Sequence, residues 1–389
     1  MGRGVILSGI SLEGIRVVVV QIPSMIYFHA RHIIQKEATD GVCKKPYKLP
    51  FVPFLMVLLV LFSGVSSCSR SPEPVSRVEF LMGTTCGVTV YGPAGKEVLD
   101  PVFQRVKEIE EKMSATLETS EISEINRNAG IKAVSVSEET FHVIFQGLYF
   151  STLSKGAFDV AIGRLVSLWG IGTEHARIPT PEEIKEALST IDYQSVELDP
   201  ATKSVFLKTK GMALDLGAIA KGWAADEAAR ILRQKGVKHA IVDLGGNILV
   251  IGSHPENRPW RIGIQNPETT RGSYLGILPG TDISVVTSGT YERFFEGPDG
   301  KRYHHLLDTQ TGYPIQNGLV SVTVVTKESI RADGLSTTLF ALGVSEGLKL
   351  AESLEGVDAL FVTEDKRIYR TEHLKPVFEL KNPEFQLVN

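Results

Sequence analysis

The segment ADGLSTTLFALG, Ala332 to Gly343, places Asp333 and Thr337 four residues apart. On a helix that spacing puts both side chains on one face, with Cβ atoms about 5–6 Å apart. A carboxylate and a hydroxyl are hard oxygen donors suited to Mg²⁺ or Ca²⁺. The same pair also reads as an ordinary helix start, with Asp333 as cap and Thr337 packed. A second segment, DLGAIAKGWAAD, runs from Asp215 to Asp226. A strand-like approach over residues 212–214 meets Asp215 and Gly217, and an Ala-rich helix follows. A helix N-terminus behind a glycine offers free backbone N–H groups to an anion, and Lys221 adds a point charge one turn in. The GxxxxGK[ST] phosphate loop is absent, so a plain strand-to-helix turn with a solvated lysine stands beside the anion-site reading. In VVTSGTYERFF, Val285 to Phe295, a strand is predicted to end at Thr287-Ser288-Gly289. Those small hydroxyls and that flexible backbone suit either a phosphate or an ordinary turn.

YHHLLDTQTGYP, Tyr303 to Pro314, carries two of the nine histidines side by side. In extended chain, neighbouring side chains point to opposite faces. Joint metal ligation by His304 and His305 is therefore geometrically poor. One histidine can enter a pocket as a general base, and the other is expected to be exposed. Asp308 either orients that histidine or caps the turn at Thr311-Gly312.

These residues need elements to hold them. Asp100-Pro101 predicts a helix start, with Asp100 as N-cap, Pro101 in the first turn, and Val102, Val106, Ile109 and Met113 on one face. Ser137 opens a second helix that is expected to end at Gly156, and Thr180-Pro181-Glu182-Glu183 reads as a capping box before a third. Further helices are expected over Ala218–Gln234, Ala332–Leu342 and Ser345–Leu354. Strand signals fall on Val205–Lys208, Ala240–Asp243, Ile248–Ile251, Ile283–Thr287, Leu319–Thr326 and Ala359–Val362, and Gly245-Gly246-Asn247 reads as a hairpin turn. The fold class is α+β: one domain, residues 78–389, with a mixed sheet core and no internal linker.

Composition narrows the partners. Outside the first 67 residues the chain has 34 basic and 42 acidic residues. No basic patch or run appears there, which argues against nucleic acid. An acidic body that handles a polyanion needs a divalent cation to offset charge. The three cysteines, Cys43, Cys68 and Cys86, form no CxxC and are odd in number, so neither a disulfide scaffold nor a zinc site is expected. Cys86 reads as a small buried hydrophobe.

Lys44, Lys45 and Lys48 precede the apolar run FVPFLMVLLVLF and then SGVSSC. That is a signal peptide, and the run is short for a transmembrane helix, which needs about 20 apolar residues. Val65-Ser66-Ser67-Cys68 has the form of a bacterial lipobox, with Cys68 as the lipidated residue. Residues 1–43 do not fit a signal peptide and point to a translation start downstream of Met1, with Met25 as a candidate. The expected layout is a leader and lipoprotein signal peptide over 1–67, a tether over 68–77, and then the domain, anchored by lipid at the bacterial cell envelope on the extracytoplasmic side.

Taken in order, the motifs resemble those of the ApbE family of flavin transferases (FAD:protein FMN transferases). The resemblance runs from about Phe80 to Phe361. It rests on Met82-Gly83-Thr84, Ser120-Glu121-Ile122-Ser123 with Asn126, Gly156-Ala157-Phe158-Asp159, Leu168-Trp169-Gly170, Asp215-Leu216-Gly217 with Ala220-Lys221-Gly222, and Gly245-Gly246-Asn247. Thr287-Ser288-Gly289, Tyr303 with His305 and Asp308, Thr311-Gly312, and Ala332-Asp333 with Ser336-Thr337 complete it. Any one motif is weak; the ordered set is specific.

The resemblance implies a single α+β domain that binds FAD in a cleft, with Mg²⁺ at the pyrophosphate. Implied metal positions are Asp333, Thr337 and the Ala218 carbonyl. Implied FAD-contacting positions are Met82, Ser114, Ala115, Thr116, Ala157, Phe158, Asp159, Asp215, Lys221, Thr287 and Ser288. His305, with Asp308, takes the catalytic position. Thr116 and Trp223 stand where the family commonly has tyrosine, and Thr309 where it has proline. The implied reaction moves FMN from FAD to a Ser/Thr hydroxyl of an acceptor protein, releasing AMP. The implied acceptors are subunits of membrane redox complexes. An FAD pyrophosphatase and a non-catalytic flavin-binding lipoprotein are the alternatives.

Overall fold

The computed structural model describes residues 73–269 and 272–388. The leader, the signal peptide and Cys68 lie outside the described residues. The chain opens with a hairpin of β1 (Val75–Leu81) and β2 (Thr84–Tyr91). It continues through α1 (Asp100–Met113), α2 (Glu121–Arg127), β3 (Val134–Ser135), α3 (Glu138–Leu153), α4 (Gly163–Trp169), α5 (Pro181–Leu188), β4 (Val196–Asp199) and β5 (Ser204–Leu207). Then come α6 (Ala220–Gln234), β6 (His239–Leu244), β7 (Asn247–Ile251), β8 (Trp260–Gln265), β9 (Tyr274–Gly280), β10 (Ser284–Gly289), β11 (Phe294–Glu296) and β12 (Arg302–His304). The last elements are β13 (Leu319–Thr326), α7 (Ser329–Ser353), β14 (Asp358–Thr363), β15 (Arg367–Arg370), β16 (Glu379–Leu380) and β17 (Gln386–Leu387).

A nine-stranded sheet, β1-β2-β6-β7-β10-β13-β14-β15-β17, forms the centre. Its pairs are antiparallel except β15 with β17, so the sheet is mixed and the fold is α+β. Strand alternation splits its side chains between two cores. Ala240, Val242 and Leu244 pack on the helical side with α1, α6 and α7. Ile241, Val250 and Val285 face Trp260, Ile262 and Leu278 of the β8–β9 pair. A third cluster, Leu165, Trp169, Ile184, Ala187 and Leu307, joins α4 and α5 to the β11–β12 hairpin. Trp169 is fully buried there; burying a side chain of that size stabilises by about 1.5–3 kcal/mol or more.

Local signals explain most boundaries. Ser120 and Ser137 cap α2 and α3, and Thr180 with Glu183 closes the capping box at α5. The α1 face is buried at the predicted positions. Gly245 and Gly246 both take positive φ, 68° and 93°, as a two-residue hairpin turn between β6 and β7 requires.

Several expectations need correction. Asp100 is the first residue of α1, not its cap; Leu99 takes that place. The helix expected to reach Gly156 stops at Leu153, where Lys155 and Gly156 turn the chain through positive φ. The helix expected from Ala218 begins at Ala220. The two helices expected after Ala332 are present within α7: Gly343, with φ 76° and ψ 178°, is not helical and separates 329–342 from 344–353, and only the start moves, to Ser329. Thr287-Ser288-Gly289 is not a turn: all three lie in β10 and pair with β13. The local sequence looks breakable, but pairing with β13 holds it extended.

Candidate active site

The site is built around the crossing of α6 and α7. Gly222 lies where the helices touch. A Cβ there would sit 2.5 Å from the Ser329 carbonyl oxygen, 2.6 Å from the Ile330 Cα and 2.8 Å from the Asp333 Cβ. Only glycine fits. Its N–H donates to Asp333 Oδ2 at 2.8 Å instead of to the carbonyl four residues back. That carbonyl belongs to Ala218, and no hydrogen bond reaches it among the described residues. Lys221 Nζ donates to the Gly217 carbonyl at 3.1 Å and lies 3.5 Å from Asp333 Oδ1. Thr337, one turn past Asp333, has its hydroxyl 3.1 Å from Ser288 Oγ, and Ser288 also meets Ser336 Oγ at 2.8 Å. Thr287 instead pairs with Thr323 at 2.8 Å, away from this cluster.

Asp333 is therefore not the cap of its own helix. Asp226 does that work from α6, accepting the N–H groups of Ser329 and Ile330 at 2.7 and 2.9 Å. Burial raises the Asp333 carboxyl above the ordinary range, opposed by the Lys221 ammonium and the Gly222 N–H. A buried carboxylate, a hydroxyl and an unpaired carbonyl beside one another form a hard oxygen set that fits a divalent cation.

Asp215 is placed by backbone pairing. Its N–H donates to the Val160 carbonyl at 2.9 Å. The Asn126 amide grips both the N–H and the carbonyl of Leu214, at 2.7 and 3.0 Å. The Asp215 Oδ1 accepts the Gly217 N–H at 2.7 Å. Burial raises this carboxyl above the ordinary range, opposed by the Gly217 N–H and by the Arg293 and Lys221 charges.

His304 and His305 separate as strand geometry requires, but the expectation that His304 is exposed is wrong. His304 closes β12 and is buried; its Nε2 lies 3.1 Å from the Ile315 carbonyl and its ring meets Phe340 edge-on. The helical core needs an occupant at that rung, and the flat ring supplies it. His305 follows the strand and is half-buried. Its Nδ1 and its backbone N–H both bond to the Arg293 carbonyl, at 3.2 and 3.1 Å. A carbonyl only accepts, so Nδ1 carries the proton and Nε2 presents its lone pair. Burial and the Arg293 guanidinium push the imidazole down to about 3, so it is neutral across the physiological range.

Asp308 does not orient His305. Its Oδ1 accepts the N–H groups of Gln310 and Thr311 at 2.7 and 3.0 Å and caps the turn. Trp169 Nε1 donates to the Gly312 carbonyl at 2.8 Å and Thr309 Oγ1 to the Gly156 carbonyl at 2.7 Å. These bonds tie the loop to α4 and to the 156–159 segment, so threonine in place of proline leaves the turn pinned.

Met82 occupies the tight β1–β2 turn with φ 52°, and its N–H donates to Glu110 Oε1 at 2.8 Å. Ser114 Oγ accepts the N–H groups of Thr116 and Leu117, folding the exposed Ala115-Thr116 loop after α1. Ala157 is half-buried, whereas Phe158 and Asp159 are buried. Asp159 accepts from the Ala161 and Tyr193 N–H groups at 2.8 and 3.0 Å, and burial pushes it up to about 6. Both residues thus shape the loop from within. A cavity of about 560 Å³ lined by His142, Trp223, Asp226, Arg233, Lys327 and Arg331 lies elsewhere and contains none of the predicted site residues. Sequence reasoning missed the Arg293 carbonyl, a backbone group set by cross-strand register. The Ala218 carbonyl is among the implied metal positions, but what frees it, the turn of the Gly222 N–H to Asp333, depends on a helix crossing.

A family model described as the ApbE family matches residues 82–361. The chain belongs to the ApbE family. Its ApbE relatives include the FAD:protein FMN transferase of Treponema pallidum, 38% identical over 331 residues, covering 80% of this chain and 91% of that protein. A Klebsiella pneumoniae FAD:protein FMN transferase is 41% identical over 288 residues, covering 74% and 89%. Among solved structures, the ApbE protein of Thermotoga maritima has a TM-score of 0.72 at 34% identity, covering 78% of this chain and 99% of that one. The flavin transferase ApbE of Vibrio cholerae has a TM-score of 0.70 at 30% identity, with the same coverage.

Proposed function

We propose that this protein is an FAD:protein FMN transferase. A Ser/Thr hydroxyl of an acceptor protein attacks the phosphorus on the FMN side of the FAD pyrophosphate. The bond to the AMP phosphate breaks, AMP leaves, and FMN stays on the acceptor as a phosphoester. The observation that carries this reading is the His305 tautomer: Nδ1–H is held by the Arg293 carbonyl, so Nε2 is free to accept the hydroxyl proton. Burial, with the Arg293 and Lys221 charges nearby, makes the imidazole a weak base. A bound pyrophosphate offsets those charges and raises its basicity.

Ala218, Asp333 and Thr337 would hold Mg²⁺, which when bound neutralises charge on the phosphoryl oxygens. Lys221 adds charge from its place beside Asp333. Met82, the 114–116 loop, Ala157 and Asp215 line the approach for FAD, with Phe158 and Asp159 supporting from beneath. The lipobox at Cys68 supports a lipid-anchored protein of the bacterial envelope, with 1–67 as leader and a tether from Cys68; the transferase domain starts at Val75, the first residue of β1, and not at residue 78 as expected, because 75–77 already pair with β2. Subunits of membrane redox complexes are the acceptors in this reading.

The test is mass spectrometry after incubation with FAD, Mg²⁺ and a candidate acceptor. An FMN adduct on the acceptor is the expected result. Free FMN with AMP makes the protein a pyrophosphatase, and intact FAD makes it a binder.

A further inference from the structure

The open end of the β11–β12 hairpin carries a side chain that the mechanism has not used. Phe294 pairs with His304 and Phe295 with Tyr303, so Arg293 and His305 form the next rung beyond the strands. Residues directly opposite on antiparallel strands share a face. Phe295 and Tyr303 share the face that stacks toward Trp169, so alternation puts Arg293 and His305 on that same side. The Arg293 stem passes over Gly172, where a Cβ would meet its Cδ at 3.4 Å. The guanidinium reaches the Met82-Gly83 turn, with Nη2 3.8 Å from the position of a Gly83 Cβ. Its charge acts on both Asp215 and His305.

No salt bridge or side-chain hydrogen bond engages this guanidinium among the described residues. Lys221 is already engaged by Asp333 and the Gly217 carbonyl. A guanidinium presents a planar fork of donors that matches two phosphoryl oxygens at once, which an ammonium cannot do.

We propose that Arg293 is a substrate-binding residue whose guanidinium takes phosphoryl oxygens of the FAD pyrophosphate from the Met82-Gly83 side of the cleft. The proposal rests on the FAD reading above. It also gives one residue two tasks: the Arg293 carbonyl sets the His305 tautomer, and its side chain brings the phosphorus to that histidine.

The test compares FAD with riboflavin, which shares the isoalloxazine ring but has no phosphate, as ligands of the full chain and of Arg293→Gln and Arg293→Lys. Backbone contacts to His305 survive both substitutions. Arg293→Gln is expected to weaken FAD binding about ten- to a hundredfold, the loss typical of charged hydrogen bonds, with riboflavin affinity unchanged. Arg293→Lys is expected to recover part of the loss. An unchanged ratio of FAD to riboflavin affinity in Arg293→Gln overturns the proposal and leaves the transferase reading standing. A wild-type protein that binds FAD no better than riboflavin overturns both.

Discussion

Gly222→Ala is a sharp test of how the site is assembled, because two effects oppose each other. In a helix interior, alanine is favoured over glycine by about 1 kcal/mol, so the substitution would stabilise α6 in isolation. The new Cβ, however, would sit 2.5, 2.6 and 2.8 Å from atoms of Ser329, Ile330 and Asp333. Two of the three neighbours are backbone and cannot rotate away, so α6 and α7 must separate by several tenths of an ångström or more. Overpacking of this kind costs about 1–3 kcal/mol. Stretching the Gly222 N–H bond to Asp333 adds about 1–2 kcal/mol. The opposing terms leave a net loss of about 1–4 kcal/mol, which lowers Tm by several degrees. The activity loss should be larger than the stability loss suggests, because Asp333 moves with α7; a misplacement near 1 Å costs about 10²-fold in rate. Differential scanning calorimetry gives the first quantity and single-turnover FMN transfer below the melting range gives the second. A variant as stable as wild type with an undiminished rate would refute the account of the crossing.

The two histidines should fail in different ways. His304→Ala removes a buried ring and its bond to the Ile315 carbonyl and should lower stability by about 2–4 kcal/mol; His305→Ala should fold normally yet lose about 10²–10⁴ in rate per folded molecule. Melting curves paired with rate measurements decide it, and equal stability of the two variants would contradict the facing assigned to them. Asp333→Asn keeps the shape of the side chain but removes its charge, so Mg²⁺-dependent transfer should be lost while circular dichroism stays native; retained Mg²⁺ dependence would remove Asp333 from the metal set. For pH, Asp159 and Asp226 each have a folded value near 6 against 3.8 unfolded. The native state holds protons that the unfolded chain has released, so their contribution to stability is greatest below the unfolded value and is lost as pH rises through 4 to 6. Asp159→Asn should flatten the pH dependence of urea unfolding in that window, and an unchanged slope would show that another group controls it.

Much of the fold was legible because its signals are local. The apolar face of α1, the caps at Ser120, Ser137 and Thr180, and the Gly245-Gly246 turn each declare themselves within a few residues. The strand reading of β10 stopped two residues early because Ser288 and Gly289 are weak strand formers, held extended by pairing with β13. Spacing alone gave the common face of Asp333 and Thr337 and the opposed faces of His304 and His305. It did not give which histidine is buried, since that depends on Phe340 arriving from α7. Nor did it show that Asp308 serves its own turn. The family motifs imply the Ala218 carbonyl, but what frees it, and the meeting of the Arg293 carbonyl with His305, arise from tertiary register, which a linear sequence does not display.

The bonds that define the cleft join parts of the chain far apart in sequence. Asn126 grips Leu214 across 88 positions, Lys221 reaches Asp333 across 112, Trp169 meets Gly312 across 143 and Thr309 meets Gly156 across 153. Contacts of such long range form slowly, because chain closure must be completed before they are rewarded. A chain synthesised only as far as α6 lacks one partner of three of these four bonds, so the parts of the site meet only after α7 has been made.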